Sequence, residues 1–154
     1  MNKQANSRYC FVCGLDNGNG LKMKFFEDEP GKVSANITVP AHFQGYPGIV
    51  HGGIIAAMLD EVSGRTITND EYSRWMVTAS LSIRYRKPVP VEKPLHLVGI
   101  LKNDSGLVAR VRGEIFDEDG TLLAEAEAVL AVIPKDLKES LDKMPVEDWR
   151  VYPD

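Results

Sequence analysis

The stretch from Gly45 to Glu61 constrains the fold of this chain more than any other. A loop containing Gly45, Pro47 and Gly48 runs straight into a segment in which Ile54, Ile55, Met58, Leu59 and Val62 recur at helical spacing. Ala56 and Ala57 fill the gaps, so the first turns are apolar nearly all round, as expected for a buried helix rather than one laid on a surface. Gly52 and Gly53 stand at its start, where the backbone can approach another molecule without a side chain in the way. The unpaired N–H groups of a helix start, at the positive end of its dipole, suit an anion or a polarised carbonyl oxygen. Two turns later Asp60-Glu61 interrupts the apolar run, and charged groups are rarely buried without a partner or a task. A donor-rich helix start with an internal carboxylate is what acyl-transfer chemistry needs.

The remaining chain sets limits around this segment. Its 154 residues fit one domain with a real core. Eighteen basic against twenty-two acidic residues give a net charge of −4, which carries no strong pull toward nucleic acid. No apolar run approaches the roughly 18 residues of a membrane span. The N-terminal residues are polar without a signal-peptide core, and two cysteines make no disulfide framework, so a reducing cytoplasm is expected. Cys10-x-x-Cys13 lacks a second pair of ligands for zinc and is followed by turn residues instead of a helix. It reads as two structural thiols, with a metal or redox role as the alternative; no metal or organic cofactor is expected.

In order, residues 1–20 read as a loose arm and cap, 21–133 as the main domain, and 134–154 as a tail with a helical turn at Leu137–Leu141. Leu21–Glu27 and Lys32–Val39 are strand-like around the turn Asp28-Glu29-Pro30-Gly31, and the second alternates apolar and polar residues. The helix is predicted to run to about Thr68, with Asn69-Asp70 as its stop. Four strands follow: Trp75–Arg86, Leu95–Leu101, Leu107–Phe116 and Thr121–Ile133. Asp117-Glu118-Asp119-Gly120 marks a hairpin that would set Arg112 opposite Glu125 and Arg110 opposite Glu127 on a polar face. On the other face Val111 would pair with Ala126 and Ala109 with Ala128. Two strands, a wholly buried helix and four antiparallel strands suggest an α+β fold in which a curved antiparallel sheet wraps one long helix; the lack of strand–helix alternation argues against a doubly wound parallel sheet.

This order, with Gly48-Ile49-Val50-His51-Gly52-Gly53 opening the helix and Asp60 seven residues beyond Gly53, resembles the hotdog-fold acyl-CoA thioesterases of the PaaI type. The resemblance spans roughly residues 10–133 and includes Cys10–Gly14, Gly20-Leu21, His42–Gly48 and Val77–Tyr85. It implies hydrolysis of an acyl-CoA by water in a homodimer or homotetramer with active sites between subunits. It assigns the carbonyl-polarising role to the Gly52 and Gly53 amides and the water-activating role to Asp60. Thr78 matches a position from which a partner subunit's hydroxyl can place the water. Some relatives carry an Asn six residues before the His; here that position is Gly45, and Gly45-Tyr46-Pro47-Gly48 resembles another branch of the family.

The residues also argue for themselves. Gly53 and Asp60 lie about 10 Å apart along a helix, too far to act on one carbonyl within one chain. Either they serve different purposes or Asp60 reaches a neighbour's oxyanion site. Gly53, Ala57, Asp60 and Gly64 share one stripe of small residues beside which a ligand could lie. Each role has a plainer rival. Gly52 and Gly53 can serve close packing alone, and Asp60 can simply pair with Arg65. Glu61 is the competing acid on a different face, or else a substrate-binding group alongside Gly45 and Tyr46. His51 orients the loop in one reading and moves protons in another. Thr78 can be an ordinary strand residue. Arg84, Arg86 and Lys87 can hold CoA phosphates or merely occupy an exposed strand face. Tyr46, Met58, Trp75 and Met76 are candidates for the pocket lining, while His42 and His96 show no partner in the sequence. Competing functions are a hydratase or dehydratase of acyl thioesters and a non-catalytic acyl-CoA sensor. An α/β-hydrolase is excluded by the missing Gly-x-Ser-x-Gly elbow.

Overall fold

The structure, a computed structural model, describes residues 1–68, 74–143, 145 and 148–153. The elements are β1 (Asn2–Lys3), β2 (Asn6–Ser7), β3 (Phe25–Glu29), β4 (Lys32–Thr38), α1 (Gly52–Gly64), β5 (Met76–Tyr85), β6 (Pro94–Asp104), β7 (Val108–Asp117), β8 (Leu122–Val132), α2 (Lys135–Leu141) and β9 (Trp149–Arg150). Seven strands form one antiparallel sheet in the order β1-β3-β4-β6-β7-β8-β5, and β2 pairs with β9 beside it. Helix α1 touches β4, β5, β6, β7 and β8. Five strands at about 4.8 Å spacing are wider than one helix, so the sheet must curl around α1. Among the described residues no helix is long and apolar enough to cross a membrane.

Gly99 and Gly113 seat the helix. They face each other across β6 and β7. A Cβ on Gly99 would lie 2.3 Å from the carbonyl oxygen of Val62, and one on Gly113 would lie 2.9 Å from Ser63 Oγ. Removing both side chains lets the backbone of α1 settle into the sheet, where Ile55, Met58, Leu59 and Val62 enter the core. Each such side chain is worth about 1.5–3 kcal/mol on full burial.

The helix is less enclosed than its sequence suggests. Ile55, Met58, Leu59, Val62 and Ser63 are buried, but Ile54, Ala57, Asp60, Glu61 and Gly64 are half-exposed and Gly53 is exposed. The sheet curls over one side only. The predicted run to Thr68 is met by α1 and a 3₁₀ turn over Arg65–Ile67; the expected stop at Asn69-Asp70 lies outside the described residues.

The hairpin register also differs from expectation. Arg112 pairs with Glu127, Val111 with Ala128, Arg110 with Val129 and Ala109 with Leu130, a slip of two residues that keeps every side chain on its expected face. Gly120 takes φ +79°, and Asp117 Oδ1 accepts the N–H groups of Asp119 and Thr121, making a three-residue loop. An irregularity at Ile115/Phe116 supplies the remaining shift. Arg112 still reaches Glu125, at 2.8 Å, as a diagonal neighbour.

The N-terminal residues are not a loose arm. β1 extends the sheet beyond β3, and Ala5 and Asn6 are buried. Asn6 Nδ2 donates to the carbonyls of Cys13 and Met23 at 2.6 and 2.9 Å. Leu21 and Met23 bond back to Phe11 and Val12, so β3 begins at Phe25 rather than Leu21. The C-terminal residues return through β9, and both ends meet at Arg65. Arg65 is 2% exposed, and its side chain lies between the rings of Phe25 and Trp149, with Cζ 4.7 and 4.6 Å from their centroids. Its Nη1 donates to the carbonyl of Ala5, and its Nε bonds Glu61 Oε1 at 2.9 Å.

Candidate active site

The loop entering α1 is shaped by its own backbone. Gly48 sits at φ +80°, where a side chain would be strained. Gly45 N–H bonds Ile49 O at 2.8 Å, and Gly48 N–H bonds Gln44 Oε1 at 3.0 Å. Val50 N–H reaches Val89 O at 2.8 Å, fastening the loop to the segment after β5. His51 follows as the helix N-cap, with Nδ1 accepting Gly53 N–H at 2.9 Å. This bond fixes two things. When neutral, the imidazole carries its proton on Nε2. The Gly53 N–H is occupied by that imidazole. Gly52, the first residue of the helix, has no carbonyl one turn back, and no described side chain or carbonyl accepts its N–H.

His51 and Gly52 open onto a groove of about 640 Å³ also lined by Gly45, Tyr46, Tyr85 and Arg86. Tyr46 is 81% exposed, and the hydroxyl of Tyr85 donates to Gly52 O at 3.0 Å. Arg86 reaches into this wall and bonds Glu125 Oε1 through Nε at 3.1 Å. That guanidinium, followed by those of Arg112 and Arg84, holds the Glu125 carboxyl below its usual range. Arg84 itself stands apart, with Ser82 and Glu127 on the outside of the sheet.

The acid lies elsewhere. Asp60 borders a second cleft of about 350 Å³ with Glu61, Arg74, Trp75, Met76 and Thr78. Thr78 Oγ1 donates to Asp60 Oδ1 at 2.6 Å within the same chain. The hydroxyl expected to act from a partner subunit is thus the acid's own neighbour. Asp60 has no cationic partner among the described residues, because Arg65 is committed to Glu61 at 2.9 Å. Glu61 points to the N-terminal cap, with Oε2 3.8 Å from Cys10 Sγ, and takes no part in the groove where substrate binding was expected of it. Met58 is wholly buried and lines neither cleft, whereas Tyr46 lines one and Trp75 and Met76 the other. His96 Nδ1 lies 2.8 Å from Asn36 Oδ1, and His42 packs on Phe43 at 4.3 Å, away from both clefts.

The predicted residues therefore fall into two candidate half-sites, a donor group at the start of α1 and an acid group two turns later. Sequence reasoning missed Tyr85, whose place beside Gly52 depends on how β5 lies over the helix, and Arg65 as the residue that keeps Glu61 away from Asp60. The i, i+4 spacing of Glu61 and Arg65 was the available signal.

Comparisons with known proteins agree with this architecture. The family profile of the thioesterase superfamily matches residues 47–124, just over half of the chain. The acyl-coenzyme A thioesterase THEM4 of Mus musculus is 30% identical over 90 residues, which are 58% of this chain but only 38% of THEM4. The crystal structure of a thioesterase superfamily protein superposes with a TM-score of 0.73 at 32% identity, covering 80% of this chain and 63% of that one. The PaaI protein of the Escherichia coli phenylacetic acid degradation operon has the same fold, with a TM-score of 0.67, 15% identity and coverage of 74% and 81%. One central helix in a curled antiparallel sheet, the two glycines at its start and the match from Pro47 through Ala124 lead to one assignment: the chain belongs to the thioesterase superfamily, with a PaaI-like hotdog fold.

Proposed function

We propose that the protein hydrolyses acyl-CoA thioesters in a homo-oligomer whose active sites combine the donor half-site of one chain with the acid half-site of another. The carrying observation is the separation of the two half-sites along α1. About 12 Å of helix rise prevents Gly52 and Asp60 from serving one carbonyl, while each is well formed by itself. The substrate class rests on the thioesterase family and on the acyl-coenzyme A thioesterase relative. β5 is the free edge of the main sheet and carries exposed Val77 and Tyr85. Pairing of two such edges would continue the sheet and bring the open sides of two α1 helices together.

In this reading the thioester carbonyl oxygen accepts the Gly52 N–H at the positive end of α1, while His51 Nε2–H faces the same groove. Asp60 of the other chain takes a proton from water as its oxygen adds to the carbonyl carbon. The C–S bond then breaks, the free acid leaves, and the proton on Asp60 passes to the CoA sulfur. Thr78 holds Asp60 in one rotamer. Tyr46 and Tyr85 flank the acyl group, and Arg86 with Lys87 meets the CoA phosphates. The cycle needs neither a metal nor an organic cofactor.

Thiol release from short-, medium-, long-chain and aryl acyl-CoAs tests this reading. Wild type turns over at least one class, and Asp60→Asn loses about 10²-fold or more in kcat. An oligomer that binds CoA but hydrolyses none of the panel would instead be an acyl-CoA binding module.

A further inference from the structure

Two cysteines and a carboxylate converge where the N-terminal cap closes on the side of α1, and the proposed hydrolysis uses none of them. Glu61, 51 residues from Cys10 in sequence, brings Oε2 to 3.8 Å from Cys10 Sγ. The three potential donor atoms of Cys10, Cys13 and Glu61 all lie within 4.8 Å of one another. We propose that Cys10, Cys13 and Glu61 bind one divalent cation of the zinc class, with solvent in the fourth position.

The 3.8 Å between Cys10 Sγ and Glu61 Oε2 is close to what such an ion requires, and the other two pairs lie within 4.8 Å. Tetrahedral zinc with sulfur at about 2.3 Å and oxygen at about 2.0 Å separates its ligand atoms by roughly 3.5–3.8 Å. Both sulfurs are already held as acceptors. Cys10 Sγ receives the N–H groups of Val12 and Cys13 at 3.3 and 3.4 Å, and Cys13 Sγ receives that of Ser7 at 3.4 Å. The turn that aims these N–H groups depends on Gly14, because a Cβ there would fall 2.4 Å from Cys10 O.

The carboxylate is aimed as well. Arg65 Nε donates to Glu61 Oε1 at 2.9 Å and Nη2 stands in ion-pair contact with the same oxygen, leaving Oε2 directed at the sulfurs. Arg65 is fixed by the rings of Phe25 and Trp149. An outer partner of this kind orients a metal-binding carboxylate. Two thiolates and a carboxylate against one guanidinium leave two negative charges, which a divalent ion neutralises. Cys13 is buried, Cys10 and Glu61 are half-buried, and solvent enters on the Cys10 side. A disulfide would use both sulfurs and leave the orientation of Glu61 without purpose. The CxxC motif alone offers two ligands; the docking of the cap on α1 supplies the third.

The test is an anaerobic titration of the full chain with Co²⁺, after reduction and removal of metal by a chelator, followed by displacement with Zn²⁺. Saturation is expected at one Co²⁺ per chain, with sulfur-to-cobalt charge-transfer absorption and the d–d bands of a four-coordinate ion, both lost on adding one equivalent of Zn²⁺. Cys13→Ser loses most of the charge-transfer band. That variant also alters a core position, so Glu61→Gln is the decisive one: it keeps a cobalt–sulfur band but binds at least about tenfold more weakly. A chain with two titratable thiols and no cobalt–sulfur band overturns the proposal. So does equal Co²⁺ affinity in wild type and Glu61→Gln.

Discussion

The hydroxyl of Thr78 donates a 2.6 Å hydrogen bond to Oδ1 of Asp60, joining the free-edge strand to the central helix at a half-exposed acid. A hydroxyl in this place holds the carboxylate in one rotamer and leaves Oδ2 for water. Thr78→Ala is expected to lower kcat about tenfold with little change in KM, and Thr78→Ser to restore most of it. Because the two side chains act as a unit, Asp60→Asn/Thr78→Ala should be no slower than Asp60→Asn alone. Steady-state kinetics on the best acyl-CoA decides this; additive losses would mean that Thr78 acts apart from Asp60.

The N–H of Gly52 can be removed without disturbing the helix. Proline is tolerated at the first helical position. His51, at φ −56° and ψ 136°, already has the extended backbone that precedes proline. A Cβ at Gly52 meets only Tyr85, at an ordinary 3.7 Å. Gly52→Pro is expected to melt near wild type yet lose about 10²–10³-fold in kcat, the usual worth of one oxyanion donor. Mixing Gly52→Pro chains with Asp60→Asn chains should then restore activity, since each mixed dimer holds one complete site. No recovery in a mixture shown by native mass spectrometry to contain mixed dimers would place both half-sites' work within one chain.

The two glycines under the helix should differ in sensitivity. A Cβ at Gly99 meets the fixed carbonyl of Val62 at 2.3 Å, whereas at Gly113 the nearest atom is the movable Ser63 Oγ at 2.9 Å. Overpacking against backbone belongs at the upper end of the usual cost. Urea unfolding should show Gly99→Ala destabilised by about 3 kcal/mol and Gly113→Ala by about 1 kcal/mol.

Acid stability should depend on Asp104. Its carboxyl accepts both guanidinium nitrogens of Arg74 and the N–H of Gly106, tying the segment before β5 to the β6–β7 turn. Arg74, and then the Gly106 N–H, lowers its pKa from 3.8 to about 2. A depressed carboxylate contributes stability above its unfolded pKa and loses it as pH falls through the folded value. The Tm difference between wild type and Asp104→Asn should therefore be full above pH 4 and vanish toward pH 2. A difference independent of pH would show that the ion pair is not its source.

Local pattern carried much of the molecule. The helical spacing of Ile55, Met58, Leu59 and Val62, the alternation in β4 and the turn residues at Asp117–Gly120 are written in short windows, so the elements and their buried faces could be read directly. The difference of face between Asp60 and Glu61 followed from a 100° helix step alone. The two-residue slip between β7 and β8 could not be read this way, because Arg112 meets a glutamate on the same face in either register. A single added loop residue and an irregularity beside it decide between them.

What the sequence by itself determined was the order of strands around one apolar helix, a donor site at its start, and an acid too far along it to share a carbonyl. Only the tertiary structure decided which groups those sites contain. His51 claims the Gly53 N–H, Thr78 claims Asp60, and Arg65 draws Glu61 toward Cys10 and Cys13. Each of these choices depends on where a side chain's partner stands in space. For Thr78, Cys10 and the rings around Arg65, that partner comes from an element distant in the chain, which periodicity does not encode.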